Sequence, residues 1–384
     1  MSHILEEYAK NLGVLISKPI VSEHFFPILN KKYITLFCDN KIQSKQYLYY
    51  NIVIDILRPF LNRENIDIIQ IDSDGQTVKG VNSSISGLSF RQNAYVISKA
   101  AMHIGVDNIY SHYASSKKIP IVNIFGNVYP QVTNGYWSKP HEKRDIPAPW
   151  SVKPSLNLVD PKSEINLIKP ELIAQSIVDL FRSGGKINFK TLNIGSNFLN
   201  NILEIVPTQF NHLNISKNDI IAIRADYGYD EDVFVSYCQN YQFVLITDQL
   251  ITPVIFEKIK HNCKSISIIL NSKTETVPEE LIEALAFHKI HFRILTDKEE
   301  CLRDIRNNHF NVEVLLKNEK KEKIKTIGKK SLFFSSKTIV KDGKQYLSKA
   351  HLDADEESSQ SNKIIDSDVF WNESDFFYIY EQDS

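Results

Sequence analysis

The sequence predicts an α/β protein of two modules, each a parallel sheet covered by helices, with an extended C-terminal tail. Three observations predict it. Continuous apolar strands such as "YITLFCD" (33–39), "IDIIQID" (66–72) and "IPIVNIFG" (119–126) alternate with helical stretches. A strand that is apolar on both sides belongs to a sheet covered on both faces. The same alternation restarts near residue 190, after a helix closed by Gly184-Gly185. From residue 317 it stops, and the composition turns basic, then polar, then aromatic and acidic.

Taken in order, residues 3 to 12 have the spacing of a short helix, and "SKPIVSEHFFPIL" reads as an extended linker, so residues 1–30 form a linker-like segment. The first module runs over 31–185. Strand 33–39 is followed by a helix over 44–61, strand 66–72, a helix over 89–100, strand 101–107, a helix over 110–118 and strand 119–126. A Pro- and Trp-containing segment, 129–161, interrupts the pattern before the helix at 169–185, which Pro170 opens. The second module, 190–316, holds strands at 220–227, 242–248, 265–270, 291–297 and 312–316, with helices over 277–289 and 298–308. Residues 317–384 comprise the basic run "KNEKKEKIKTIGKK", the polar "DADEESSQSNK" and the aromatic-acidic "SDVFWNESDFFYIYEQ". An isolated aromatic segment needs a surface to bury against, on the body, a partner or another chain.

Composition narrows the function classes. A formal net charge of -1 gives no global attraction to nucleic acid or anionic membrane and leaves only a local basic patch, for which Tyr136, Trp137, Lys139 and His141 are the candidates. The four cysteines (Cys38, Cys238, Cys263, Cys301) are far apart with no CxxC, which fits free thiols in a reducing cytosol. "MSHILEEYAK" has no basic region or apolar core of a signal peptide, and no run reaches the eighteen apolar residues of a membrane helix. The expected location is cytoplasmic, without a transmembrane segment, and no residue cluster has metal-ligand spacing.

The stretch "HIGVDNIYSHYASSKKIPIVNIFGNVYP" (103–130) carries the chemistry. Ligands of an open parallel sheet sit beyond the carboxyl ends of its strands. Asp107 and Asn108 stand at one such end and Gly126 at another. Asn108 is placed to cap the following helix, whose first-turn amides suit a diphosphate. His112 can donate to a phosphate or a sugar hydroxyl, and Gly126 permits a close backbone approach. The same residues are also ordinary turn chemistry.

Five segments in order resemble the nucleotide-sugar half of glycosyltransferase family 9, the heptosyltransferase-like family with the GT-B fold. The family signature, Gly-x-Asp-Ser-Gly-x-x-His before small residues and a strand ending in Phe-Gly, is matched by Gly105-Val106-Asp107-Asn108-Ile109-Tyr110-Ser111-His112, "YASSKK" and "IPIVNIFG". "SGLSFRQNAYVISKA" is similar to the segment before it, and "LFCDNKIQSKQY" to a strand–loop–helix in which a Lys meets donor phosphates. "INLIKPELIAQSIVDLF" is similar to the closing helix, and "EEYAKNLGVLISKP" to the interdomain linker. The resemblance covers residues 1–182. It implies two Rossmann-like modules in a GT-B-like arrangement. Ser44, Lys45, Asp107, Asn108, His112 and Gly126 would meet a nucleotide-diphosphate sugar that serves as co-substrate, with no other cofactor.

Two departures go with it. Ile109 stands where the family has Gly. The family's acceptor half, which supplies the base, is expected to be missing from its usual upstream place, with the module at 190–316 following instead, permuted or unrelated. The implied reaction is inverting transfer to an acceptor hydroxyl of a glycan or lipopolysaccharide-type molecule. The base is left open: Asp226 and Asp230 in "RADYGYDED" are the candidates, and an acidic helix start explains them equally. Two alternatives stand beside this: a viral-type glycosyltransferase acting on a modified nucleic-acid base, and a noncatalytic carbohydrate- or nucleotide-binding or assembly protein.

Overall fold

The computed structural model describes residues 2–28, 31–38, 41–72, 77–150, 153–158, 164–195, 203–210, 212–213, 219–270, 277–296, 303–304, 307, 312–316, 330–335, 339–358 and 376–382. The expected helix at 298–308, the basic run and the first part of the aromatic tail lie largely outside them. The chain divides into two compact units, Met1–Phe189 and Lys190–Ser384. Among the described residues no helix is long and apolar enough to cross a membrane.

Unit one begins with helix α1 (Ile4–Leu12), capped by His3 in a reciprocal box with Glu6 and closed by Gly13 at φ 66°. There follow β1 (Tyr33–Phe37), α2 (Tyr50–Arg63), β2 (Asp67–Ile71), β3 (Ser83–Ile85), α3 (Phe90–Ser98), β4 (Met102–Val106), α4 (Ile109–Ser116), β5 (Ile121–Phe125), α5 (Pro130–Thr133), β6 (Lys143–Pro147) and α6 (Pro170–Leu180). The six strands form one sheet in the order β3-β2-β1-β4-β5-β6, and all its pairs are parallel. Helices α2 and α6 pack together, as do α3 and α4. β4 and β5 are buried at every position, as strands between two helical layers must be.

Helix α2 starts six residues later than its apolar spacing predicts. Residues Gln43–Lys45 form a single 3-10 turn. Beyond it the Asn166 side-chain amide donates to the Gln46 carbonyl (3.0 Å) and accepts from the Leu48 N–H (2.8 Å). A backbone held on both sides this way cannot wind into the helix.

Unit two contains β7 (Phe189–Asn193, from the boundary), β8 (Leu203–Ile205), β9 (Ile220–Arg224), α7 (Glu231–Asn240), β10 (Gln242–Thr247), α8 (Pro253–Ile259), β11 (Cys263–Ile269), α9 (Glu279–Phe287), β12 (His291–Thr296) and β13 (Glu313–Leu316). β14 (Ser331–Ser335), β15 (Ile339–Lys341), β16 (Lys344–Tyr346), α10 (Lys349–Ala354) and β17 (Phe376–Glu381) complete it. Its parallel sheet runs β13-β12-β11-β10-β9-β8 without a change of direction. Helices α7, α8 and α9 share one core with Ile221, Phe243, Leu245, Ile266 and Phe292. The remaining strands form a separate sheet, β16-β15-β14-β17-β7. The described end of the aromatic stretch, Phe376–Glu381, is therefore a strand of this sheet, and Phe376, Phe377, Tyr378 and Ile379 are all buried.

Candidate functional site

In unit one the strand order reverses between β1 and β4, so the connections leaving these neighbours part to opposite sides and open a crevice at their carboxyl ends. The turn after β1 carries Ser44 and Lys45, and the turn after β4 carries Asp107 and Asn108. Lys45 Nζ donates to the Asp107 carbonyl (2.6 Å) and lies 3.4 Å from Oδ2 of the same residue. His112, one turn into α4, brings Nε2 to 3.6 Å from Asp107 Oδ1. Asp107 thus holds one cationic and one imidazole side chain at the crevice. Burial pushes the Asp107 carboxyl up, but the bond to His112 and the charges of Lys45 and His112 outweigh it and hold the group below its ordinary range.

The other expected residues have different tasks. Asn108 Oδ1 accepts from the N–H groups of Tyr110 (2.6 Å) and Ser111 (3.1 Å), so these two amides are already used. The Ile109 side chain beside them is 60% exposed. Ser44 does not cap a helix: it lies inside the 3-10 turn, its N–H donates to Leu158 O (3.1 Å), and its Oγ is buried without a partner. Gly126 sits against that turn. A Cβ there would stand 2.2 Å from the Ser44 carbonyl oxygen and 2.8 Å from Ile165 Cβ. The close approach expected at Gly126 is thus made by the protein's own backbone, and it fixes the turn that presents Lys45.

Other residues at this edge carried no readable sequence signal. Trp150 Nε1 donates to the Gly126 carbonyl (2.6 Å). Tyr110 Oη donates to Asp72 at the end of β2 (3.1 Å). His3 uses both ring nitrogens: Nδ1 accepts from Leu5 N–H, Nε2 donates to Asn134 O (2.9 Å), and its ring lies edge-on to His112 with centroids 6.4 Å apart. A histidine before a short helix and a tryptophan in a proline-rich loop have many uses, and only the fold selects these.

In unit two, Asp226 and Asp230 have structural partners. Arg224, fully buried, forks onto Asp226 through Nε (2.9 Å) and Nη2 (3.0 Å), with Nη1 3.4 Å from Glu204. Burial raises the Asp226 carboxyl to about 6, even against the lowering pull of the Arg224 charge and its hydrogen bonds. Asp230 caps α7, accepting from Val233 N–H (3.0 Å). These contacts account for both carboxylates without a substrate. Among the described residues no group of three or more His, Cys, Asp and Glu side chains can hold a metal ion.

No family model matches the chain, and neither does any curated protein. Solved structures do show similarity. The E. coli heptosyltransferase WaaC with ADP is 16% identical, covering 46% of this chain and 54% of its own, with a TM-score of 0.31. The iron-containing heptosyltransferase TibC in complex with ADP-D-beta-D-heptose is 17% identical over 45% and 52%, with a TM-score of 0.34. A glycosyl transferase family 9 protein from Veillonella parvula is 13% identical over 47% and 50%, with a TM-score of 0.33. The chain spans about half the length of these structures.

Proposed function

We propose that unit one binds a nucleotide-diphosphate sugar in the crevice between β1 and β4, and that the protein transfers the sugar to an acceptor hydroxyl. The observation that carries this is the convergence of Lys45, Asp107 and His112 at the one place where the strand order of a parallel sheet reverses. The family resemblance of the same residues supplies the chemistry. The acceptor oxygen attacks the anomeric carbon from the face opposite the diphosphate. The bond to the diphosphate breaks, its electrons leave with the phosphate oxygen, and the acceptor proton passes to a base. Lys45 and His112 stabilise the departing charge, and Asp107 holds both in position. The base is not assigned to a residue.

The use of the Tyr110 and Ser111 amides by Asn108, with Ile109 beside them, favours a second reading: a nucleotide-binding module without transfer activity. One experiment separates the two. Thermal denaturation with ADP, UDP or GDP measures binding, and ligand at a hundred times its Kd adds about 2.7 kcal/mol. Hydrolysis or transfer from the matching nucleotide-sugar then marks an enzyme, and binding without turnover marks the module. No shift with any nucleotide overturns both.

A further inference from the structure

Helix α1 turns an apolar stripe to solvent. At 3.6 residues per turn, Ile4, Leu5, Tyr8, Ala9 and Leu12 fall on one side, and Glu6, Glu7, Lys10 and Asn11 on the other. None of them is buried. Tyr8 and Leu12, at the centre of the stripe, are 57% and 74% exposed. Beyond Gly13 the chain runs on without regular structure, and Val14, Leu15, Ile20 and Phe25 are 55%, 97%, 100% and 73% exposed. Other large exposed apolar side chains of the described chain stand singly or in pairs along the sequence.

We propose that α1 and the arm through Phe25 form the contact between two copies of this chain in a two-fold dimer. The exposed face is held in place and is not a frayed terminus. His3 and Gly13 cap the helix at either end, His3 Nε2 bonds Asn134 O, and Tyr136 Oη donates to Glu6 (3.3 Å). Six large side chains more than half exposed reach the order of the roughly 800 Å² per partner that a specific interface buries. The charges along the segment are mixed: Glu6, Glu7 and Glu23 against Lys10 and Lys18. That balance offers no attraction to a phosphate-rich surface. A second copy, with a formal net charge of -1, meets almost no net repulsion. A helical stripe also satisfies the symmetry of a two-fold contact, where one patch must fit itself, and Ala9 beside Tyr8 lets two helices approach closely.

The full chain is tested by sedimentation velocity across a concentration series. The expected species has twice the 44.2 kDa mass of one chain. Leu12→Asp with Leu15→Asp is expected to raise the dimer dissociation constant at least a hundredfold, with an unchanged circular dichroism spectrum. If that variant misfolds, Leu15→Cys in a Cys301→Ser background, probed with a bis-maleimide, is expected to give a cross-linked pair that Cys301→Ser alone does not give, since Cys38, Cys238 and Cys263 are buried. A monomer at every concentration, a dimer that the double substitution leaves intact, or no cross-link at residue 15 overturns the proposal.

Discussion

Lys45 and Asp107 come from turns 62 positions apart in the chain, yet the 3.4 Å between their charged groups defines the candidate site. On the proposed function, Lys45→Ala removes a charge-assisted partner of the diphosphate, so nucleotide-induced stabilisation should fall by about 1.5–3 kcal/mol in thermal denaturation. Asp107 ties the site to pH. Its folded carboxyl lies below its ordinary 3.8, so it stabilises the fold fully above that value. The stability is lost as pH falls further, through the folded value, because the unfolded chain takes up the proton first. Asp107→Asn should therefore flatten the loss of stability below pH ~4 in acid denaturation. An equally steep decline in the variant would show that other carboxylates dominate.

The placement of the candidate residues was legible where it depended on position along one strand. Asp107 and His112 announce themselves by following "MHIGV", and Lys45 by following "YITLF". What touches Gly126 was not legible, because Ser44 reaches it only through the fold. Gly126→Ala drives a methyl into the Ser44 carbonyl. The expected cost is at the upper end of the ~1–3 kcal/mol of overpacked cores, together with weaker nucleotide binding. Denaturant unfolding and a nucleotide titration measure the two effects separately.

At the scale of elements, the apolar pattern located β1, β2, β4 and β5 because a strand between two helical layers is apolar throughout. It missed β3 ("SSI") and β6 ("KRDIP"), which lie at the sheet edges and need little apolar surface. It also over-extended α2, whose spacing continues through a segment that Asn166 holds open. Helix α4 rests on its cap: Asn108→Ala should cost ~1 kcal/mol, and it frees the Tyr110 and Ser111 amides. If those amides reach phosphate, the loss of stability will come with tighter nucleotide binding. Unchanged affinity would show that the cap is purely structural. In unit two the cost is larger. Arg224→Met leaves Asp226 and Glu204 buried beside no guanidinium, with an expected loss of ~3–5 kcal/mol in the unit-two unfolding transition.

Among the described residues the molecule holds three sheets where the sequence suggested two and a tail. The third was hard to read because β7 and β17 pair across nearly the whole of unit two, and β14, β15 and β16 are short. An aromatic segment such as "FFYIYE" states a need for burial but not its address. The two parallel sheets also differ in a way that bears on the order of assembly. In unit two each parallel pairing joins consecutive strands, as Ile220 with Gln242, a separation of 242 − 220 = 22. In unit one the pairing that opens the crevice joins Ile34 to Met102, a separation of 102 − 34 = 68. Closing the longer loop from an open chain costs about 1 kcal/mol more entropy. The crevice is thus the part of its sheet expected to be completed after local strand pairs have formed, and a diphosphate bridging Lys45 and His112 would clasp the most distant join in that sheet. Such a ligand should slow unfolding more than it speeds folding, because it acts on a contact that the folding nucleus does not yet contain.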